Sequence, residues 1–333
     1  MKAVPNVLQR AGGAAPVFAV LLALLVAIAV VNPNFLEPAS FLAFLKRAAP
    51  LAILAAGQYF VIVSGEFDLS VGSLVTVQVV VAARLIDGDE SATLPVVVLL
   101  LALGLLVGLV NGLITTRLYV PSFVTTLGML LVLSGAVFLW TGGAPRGSLS
   151  EAFRAAGRHG VPLPGGGELP WSVLILVAVA AGTAVLMRSA WGHTLVATGD
   201  NDRAAALAGV PVARVRTTAF VLSALAATVA AILLGGFAGV SAQVGEGLEF
   251  AAITAVVLGG TVLGGGRGNV LAAVAGALVV EALFTLLNLL GVAGALESTV
   301  QGVIIIAAVA YAARRAGHRR RPPAVPDPSP QPA

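Results

Sequence analysis

Apolar residues run along this chain in long blocks, not at the spacing of an amphipathic helix or a half-buried strand. Windows at about 14–31, 47–64, 69–86, 94–116, 122–140, 170–187, 217–240, 250–263, 269–290 and 296–313 predict ten membrane-spanning helices. About 18 apolar residues or more match a hydrocarbon core about 30 Å thick. Two polar interruptions stand out. "GEFDLSVGS" (65–73) opens the third window and "GLEFAAITAV" (247–256) opens the eighth, each with an acid–Phe pair, a short break and then a helix. Ten spans divide as five plus five, and because five is odd the second half must be inverted. Gly-interrupted segments at matching places in two halves point to a transport pathway.

Composition fits one integral membrane domain. Apolar residues are 58% of the chain and charged residues 10%, with a mean hydropathy of +1.00; a soluble domain is about 45–50% apolar and about 25% charged. The expected organisation is a short N-terminus (1–13), a transmembrane domain (14–313), and a basic, then Pro-rich, disordered tail (314–333). "VFAVLLALLVAIAVV" after Lys2 and Arg10 has the outline of a signal peptide. Its length, and the poor cleavage site offered by "NPNFLEP", favour a first spanning helix. Cysteine is absent, which removes disulfides, thiolate catalysis and zinc–thiolate sites.

Charge orients the chain. With the N-terminus inside, 13 of the 19 Lys and Arg residues fall on inner segments, as cytoplasmic loops require. Both termini are therefore expected in the cytoplasm, with the chain multi-pass in the cytoplasmic (inner) membrane. Lys46 and Arg47 are the exception and blur the second span's boundary. The outer loop 141–169 is rich in Gly and Pro and is expected to pack on the membrane face. The inner loop 188–216 contains "NDRAAALAG", with an N-cap at Asn201 or Asp202 and Gly209 as its stop, which predicts a short helix across the cytoplasmic face.

Each polar feature has two readings. Asp68 or Ser70 can cap the third span at the positive end of its dipole, or Glu66 and Asp68 can line a polar cavity, since irregular backbone at membrane depth must be buried or wet. Gln58, Gln78, Asn111, Glu281, Asn288 and Gln301 lie within spans. Such residues either bond neighbouring helices or face the pathway. A mid-span Glu281 suits a proton relay, a protonated carboxyl, or a pair with a cation such as Arg84. The block "GGTVLGGGRGN" (259–269) lacks the lysine of a phosphate-binding loop, so any ATPase is a separate chain; these glycines read as tight packing and a turn. His159, His193 and His318 lie on three different loops, so no metal site is expected; Ser, His and Asp form no catalytic constellation, and no nucleic-acid partner is expected.

"GEFDLSVGS" resembles the Gly-Gly-Ile-Asp-Leu-Ser-Val-Gly stretch of permease subunits of bacterial ATP-binding cassette (ABC) sugar importers of the ribose, xylose and galactose type. "VPSFVTTLGMLLVLSGAVFLWTGG" (120–143), "GHTLVATGDNDRAAALAGVPVARVR" (192–216) and the block 245–292 resemble further motifs of that family, in order, from about residue 35 to 313. Glu66 and Phe67 stand where Gly and Ile are usual, and Asn269 where Ser is common. The resemblance implies an all-α permease of about ten helices in two inverted five-helix halves. Its implied partners are a cytoplasmic ATP-binding subunit, an extracytoplasmic sugar-binding protein, and a second permease copy or paralogue. ATP and magnesium would be held by the ATPase, with no cofactor on this chain. The expected pathway set is Gln58, Glu66, Asp68, Ser70, Asn111, Glu249, Glu281 and Asn288. The expected ATPase-coupling set is Asn201, Asp202, Arg203, Ala205, Ala208 and Gly209. The rival from another class is an ion-coupled secondary carrier using Glu66, Asp68 or Glu281.

Overall fold

The computed structural model describes residues 15–162 and 167–292, with positions 296, 299–300, 302–304 and 306. The expected tenth span, Gln301, the first 14 residues and the basic tail therefore lie wholly or largely outside the described residues. Twelve α-helices follow one another within these bounds: α1 (Ala15–Val31), α2 (Pro38–Val63), α3 (Val71–Ile86), α4 (Thr93–Arg117), α5 (Ser122–Thr141), α6 (Glu151–Arg158), α7 (Trp171–Arg188), α8 (Ala190–Asp200), α9 (Asp202–Leu207), α10 (Val212–Ala238), α11 (Leu248–Leu258) and α12 (Val270–Leu289). A short hairpin, β1 (Gly160–Pro162) and β2 (Glu168–Pro170), lies between α6 and α7.

Six of these are long and apolar enough to cross a membrane: α2, α4, α5, α7, α10 and α12. Three shorter apolar helices, α1, α3 and α11, join them. Two expectations need correction. The second span begins at Pro38, not 47, so Lys46 and Arg47 lie inside a helix. Proline at the first turn starts it, and the long cations reach sideways: Lys46 Nζ donates to the Arg158 carbonyl at 2.6 Å, and Arg47 pairs with Glu281 at 3.7 Å. The third and eighth spans, α3 and α11, are about 24 and 16 Å long at about 1.5 Å per residue. Neither crosses a core about 30 Å thick alone, and the breaks before them must cover the rest.

Helix ends repeat one device. After α2, Gly65 N–H bonds the Ile62 carbonyl and Glu66 N–H the Val61 carbonyl; α11 ends the same way at Gly260 and Thr261. This paired bond closes a helix on a left-handed residue. The expected Gly- and Pro-rich outer loop instead contains α6. Ser150 Oγ accepts from Phe153 N–H at its N-terminus, and the Glu90 carboxylate accepts from Glu151 and Ala152 N–H. At its far end His159 hydrogen-bonds Glu151 at 3.0 Å, which holds that carboxyl below its usual range.

Helices α2 and α10 form the centre and run antiparallel. Gly236, near the end of α10, packs on Gly157 of α6, while Arg216, near its start, meets Glu66 just past the end of α2. The molecule thus has an α6 face and an α8–α9 face. Helix α10 packs on α2, α3 and α4, whereas α2 packs on α10, α11 and α12. Lipid tails offer helices no hydrophobic reason to associate, so small residues and cross-helix hydrogen bonds must hold them. Gly104, Gly108 and Gly112 line one side of α4; a Cβ on Gly108 would lie 2.7 Å from Val221 Cα of α10. Gln78 Nε2 donates to the Leu100 carbonyl at 3.0 Å and to Thr228 Oγ1 at 2.9 Å, tying α3 to α4 and α10. Outward faces of α1, α4, α5 and α7 carry exposed Leu, Val and Phe.

Candidate functional site

The first break, residues 64–70, folds back into the bundle. Asp68 Oδ1 accepts from the Ser70 N–H at 3.0 Å and its hydroxyl at 2.7 Å, while Oδ2 accepts from Ser223 Oγ at 3.1 Å. Asn111 Nδ2 donates to Ser70 Oγ at 2.9 Å. All four residues are buried, and together they knot the break to α4 and α10. Ser223 lies about 16 Å along α10 from Val212 at about 1.5 Å per residue, so the knot sits deep in the bundle. The capping reading of the third span is not met: Ser70 occupies the N-cap position but makes no side-chain cap bond, and the one backbone amide from which Asp68 accepts is that of Ser70. The polar groups are turned to neighbouring helices instead.

The second break, residues 239–247, reaches the same place from the other side. Gly245 N–H donates to Thr76 Oγ1 at 3.0 Å. Buried Glu249 lies against Gly72, where a Cβ would overlap its Oε2. Two broken segments and two buried carboxylates therefore converge on the first turns of α3. Gln58 on α2 is fully buried, with neither amide atom bonded to another described group.

The other expected pathway residues stand apart. Glu281 pairs with Arg47, not with Arg84, and Asn288 is exposed, with its amide donating to the Phe284 carbonyl of its own helix. Glu66 is drawn to the α8–α9 face, where its Oε1 meets Arg216 Nε at 3.0 Å.

On that face Asn201 Oδ1 accepts from Ala204 N–H at 2.9 Å and caps α9. Gly209, at φ +85°, ends it. Asp202, Arg203 and Ala208 are exposed. Ala205 is buried, contrary to an outward-facing role, because α9 turns one side onto the bundle. Leu207 is 92% exposed and was not singled out from the sequence; a leucine among alanines on a polar loop was its only signal. The glycine loop 259–268 wedges beneath, with Gly266 N–H donating to the Val63 carbonyl at 2.9 Å. Asn269 caps α12 through Leu271 and Ala272 N–H, a task Ser can also perform. Ser223, Thr76 and Arg216 were likewise missed, because their partners are distant in sequence.

A family model described as the permease component of branched-chain amino acid transport systems matches residues 40–309. The ribose import permease protein of Escherichia coli K12 is 36% identical over 294 residues, which are 87% of this chain and 91% of that protein. That of Bacillus subtilis 168 is 33% identical over 313 residues, 91% and 92% of the two chains. The L-arabinose ABC transporter permease protein of Azospirillum brasilense is 32% identical over 305 residues, 90% and 88%. No solved structure matches.

Proposed function

The chain belongs to the permease subunits of ABC sugar importers of the ribose and arabinose type, and on that premise we propose that it carries a monosaccharide across the inner membrane by alternating access. The solute is a ribose-, xylose- or galactose-like sugar or a related polyol. The observation that carries this reading is the meeting of two broken helices, with buried Asp68 and Glu249, at the first turns of α3. Irregular backbone at that depth is tolerated only where it is buried in protein or lines a cavity, and carboxylates and amides are the groups that bind sugar hydroxyls. In the state described the knot is closed on itself. Opening it frees Asp68, Ser70 and Asn111 for solute, with Gln58 as a further donor and acceptor, while Glu281 and Asn288 sit further along the route.

Two inverted halves account for the packing: α2, α3 and α4 exchange roles with α10, α11 and α12. The tenth span would complete the second half. The α8–α9 face is then cytoplasmic, as are both termini, and the exposed side of α9, with Asp202, Arg203, Leu207 and Ala208, docks a separate ATPase that binds ATP and magnesium. The α6 face receives a sugar-binding protein, and a second copy or a paralogue completes the dimer within the lipid. Only a difference in affinity between outward- and inward-open states lets the partner drive the cycle.

Affinity capture of the tagged chain from native membranes in mild detergent, followed by reconstitution with the co-purifying proteins, tests this. An ATPase in stoichiometric amount, and ATP-dependent uptake of a monosaccharide, are expected. Recovery of the chain alone, active with an ion gradient and no ATP, overturns the importer reading.

A further inference from the structure

Arg216 occupies a position that neither the docking surface nor the solute pathway accounts for. It stands one turn into α10 and is mostly buried, with 21% of its side chain exposed. Its guanidinium divides its donors between two segments. Nη2 reaches Asp202 Oδ2 at 3.4 Å, on the first residue of α9. Nε reaches Glu66 Oε1 at 3.0 Å and lies 3.4 Å from the Ser64 carbonyl, both in the first break. Glu66 is 13% exposed and Asp202 49% exposed, so the inner contact is the shorter and the better shielded of the two. Lysine lacks the planar fork that lets separate nitrogens, Nε and Nη2, each address a different carboxylate.

The geometry points to Arg216 as a positioning residue that transmits the position of α9 to the first helix break. The inference rests on the reading of α9 as the ATPase dock. The break that Arg216 grips at Ser64 and Glu66 continues directly into Asp68, so a displacement of α9 by a bound partner redistributes the guanidinium between Asp202 and Glu66 and loads or releases the backbone that holds the buried knot. Glu66, which departs from the glycine usual in the resembling motif, supplies the carboxylate that makes this joint in the present chain. Because coupling between sites is reciprocal, solute occupancy at the knot must be felt at the ATPase through the same contacts.

The test uses the assembled complex of permease, ATPase and binding protein in proteoliposomes, with three variants: Arg216→Gln, Glu66→Gln and the double variant. The readouts are co-purification of the ATPase, basal ATP hydrolysis, its stimulation by the sugar-loaded binding protein, and sugar taken up per ATP consumed. Arg216→Gln is expected to keep the ATPase bound and basal hydrolysis intact. Stimulation and uptake per ATP should fall by about 5- to 150-fold, the range of ordinary coupling energies. Glu66→Gln should fall in the same sense, and the double variant should lose little more than Arg216→Gln, because the two act through one contact. Unchanged stimulation and uptake per ATP in both single variants overturn the joint while leaving the importer intact. Loss of ATPase binding in Arg216→Gln also overturns it, making Arg216 part of the dock. A wild-type chain that transports without an ATPase overturns both this inference and the reading beneath it.

Discussion

Asp68 is engaged by the amide and hydroxyl of Ser70 and by the hydroxyl of Ser223, and Ser70 is in turn engaged by Asn111. Removing the carboxylate strands several buried donors at once, each stranded group costing about 1–3 kcal/mol. Asp68→Ala should therefore lower the folded yield and the thermal midpoint in detergent markedly. Asp68→Asn should do so less, because its amide oxygen can still accept and the Ser223 hydroxyl can turn to accept from the new NH2 group. Equal midpoints for Ala and wild type, measured by fluorescence-detected unfolding, would show that the knot contributes no stability.

Among the helices, those set by apolar blocks were legible in the sequence: the window 122–140 became Ser122–Thr141, and 170–187 became Trp171–Arg188. The start of α2 was not, because a window of hydropathy stops at Lys46 and Arg47 while the backbone does not. Helix α6 was not, because eight residues carrying Glu and three Arg or Gly breaks among them resemble a polar loop; its N-terminus depends on Glu90, which is remote in sequence. The Asp202–Arg216–Glu66 contact was illegible for the same reason, since only the fold brings its members together. The glycines of α4 were quiet in the sequence and are decisive in packing. Gly108→Leu should separate α4 from α10, since a Cβ there already meets Val221 Cα at 2.7 Å and the Phe220 carbonyl at 2.8 Å. A loss of about 1–3 kcal/mol is expected from such overpacking, against almost none for Gly128→Leu on α5, where a Cβ meets nothing within 4 Å. Thermal midpoints of the two purified variants make the comparison; equal losses would remove the case for this contact.

At the scale of the whole molecule, the proposed assembly depends on a face that is bare in the single chain. Gly209 ends α9 at φ +85° with open space around it. Gly209→Trp should insert into the membrane normally yet fail to retain the ATPase and lose uptake, both from bulk and from strain in the left-handed turn. Gly209→Asn, which tolerates that turn, should retain both. Normal ATPase retention by the Trp variant would place the dock elsewhere.

The exchange of packing between the halves sets what can move. Helix α4, from the early part of the chain, lies along α10 from the late part with Gly104, Gly108 and Gly112 turned to it, while α2 lies along α12 and α11. A rocking motion that parted the chain at its midpoint would have to peel α4 from α10 along its tightest seam. Helix α4 would therefore ride with α10, and α2, packed along α10 as well, comes close to it where Gly57 lies against Ser223 and Ala226. Any tilt of α2 against α10 about that approach would turn Ser223, and with it the bolt that Asp68 forms.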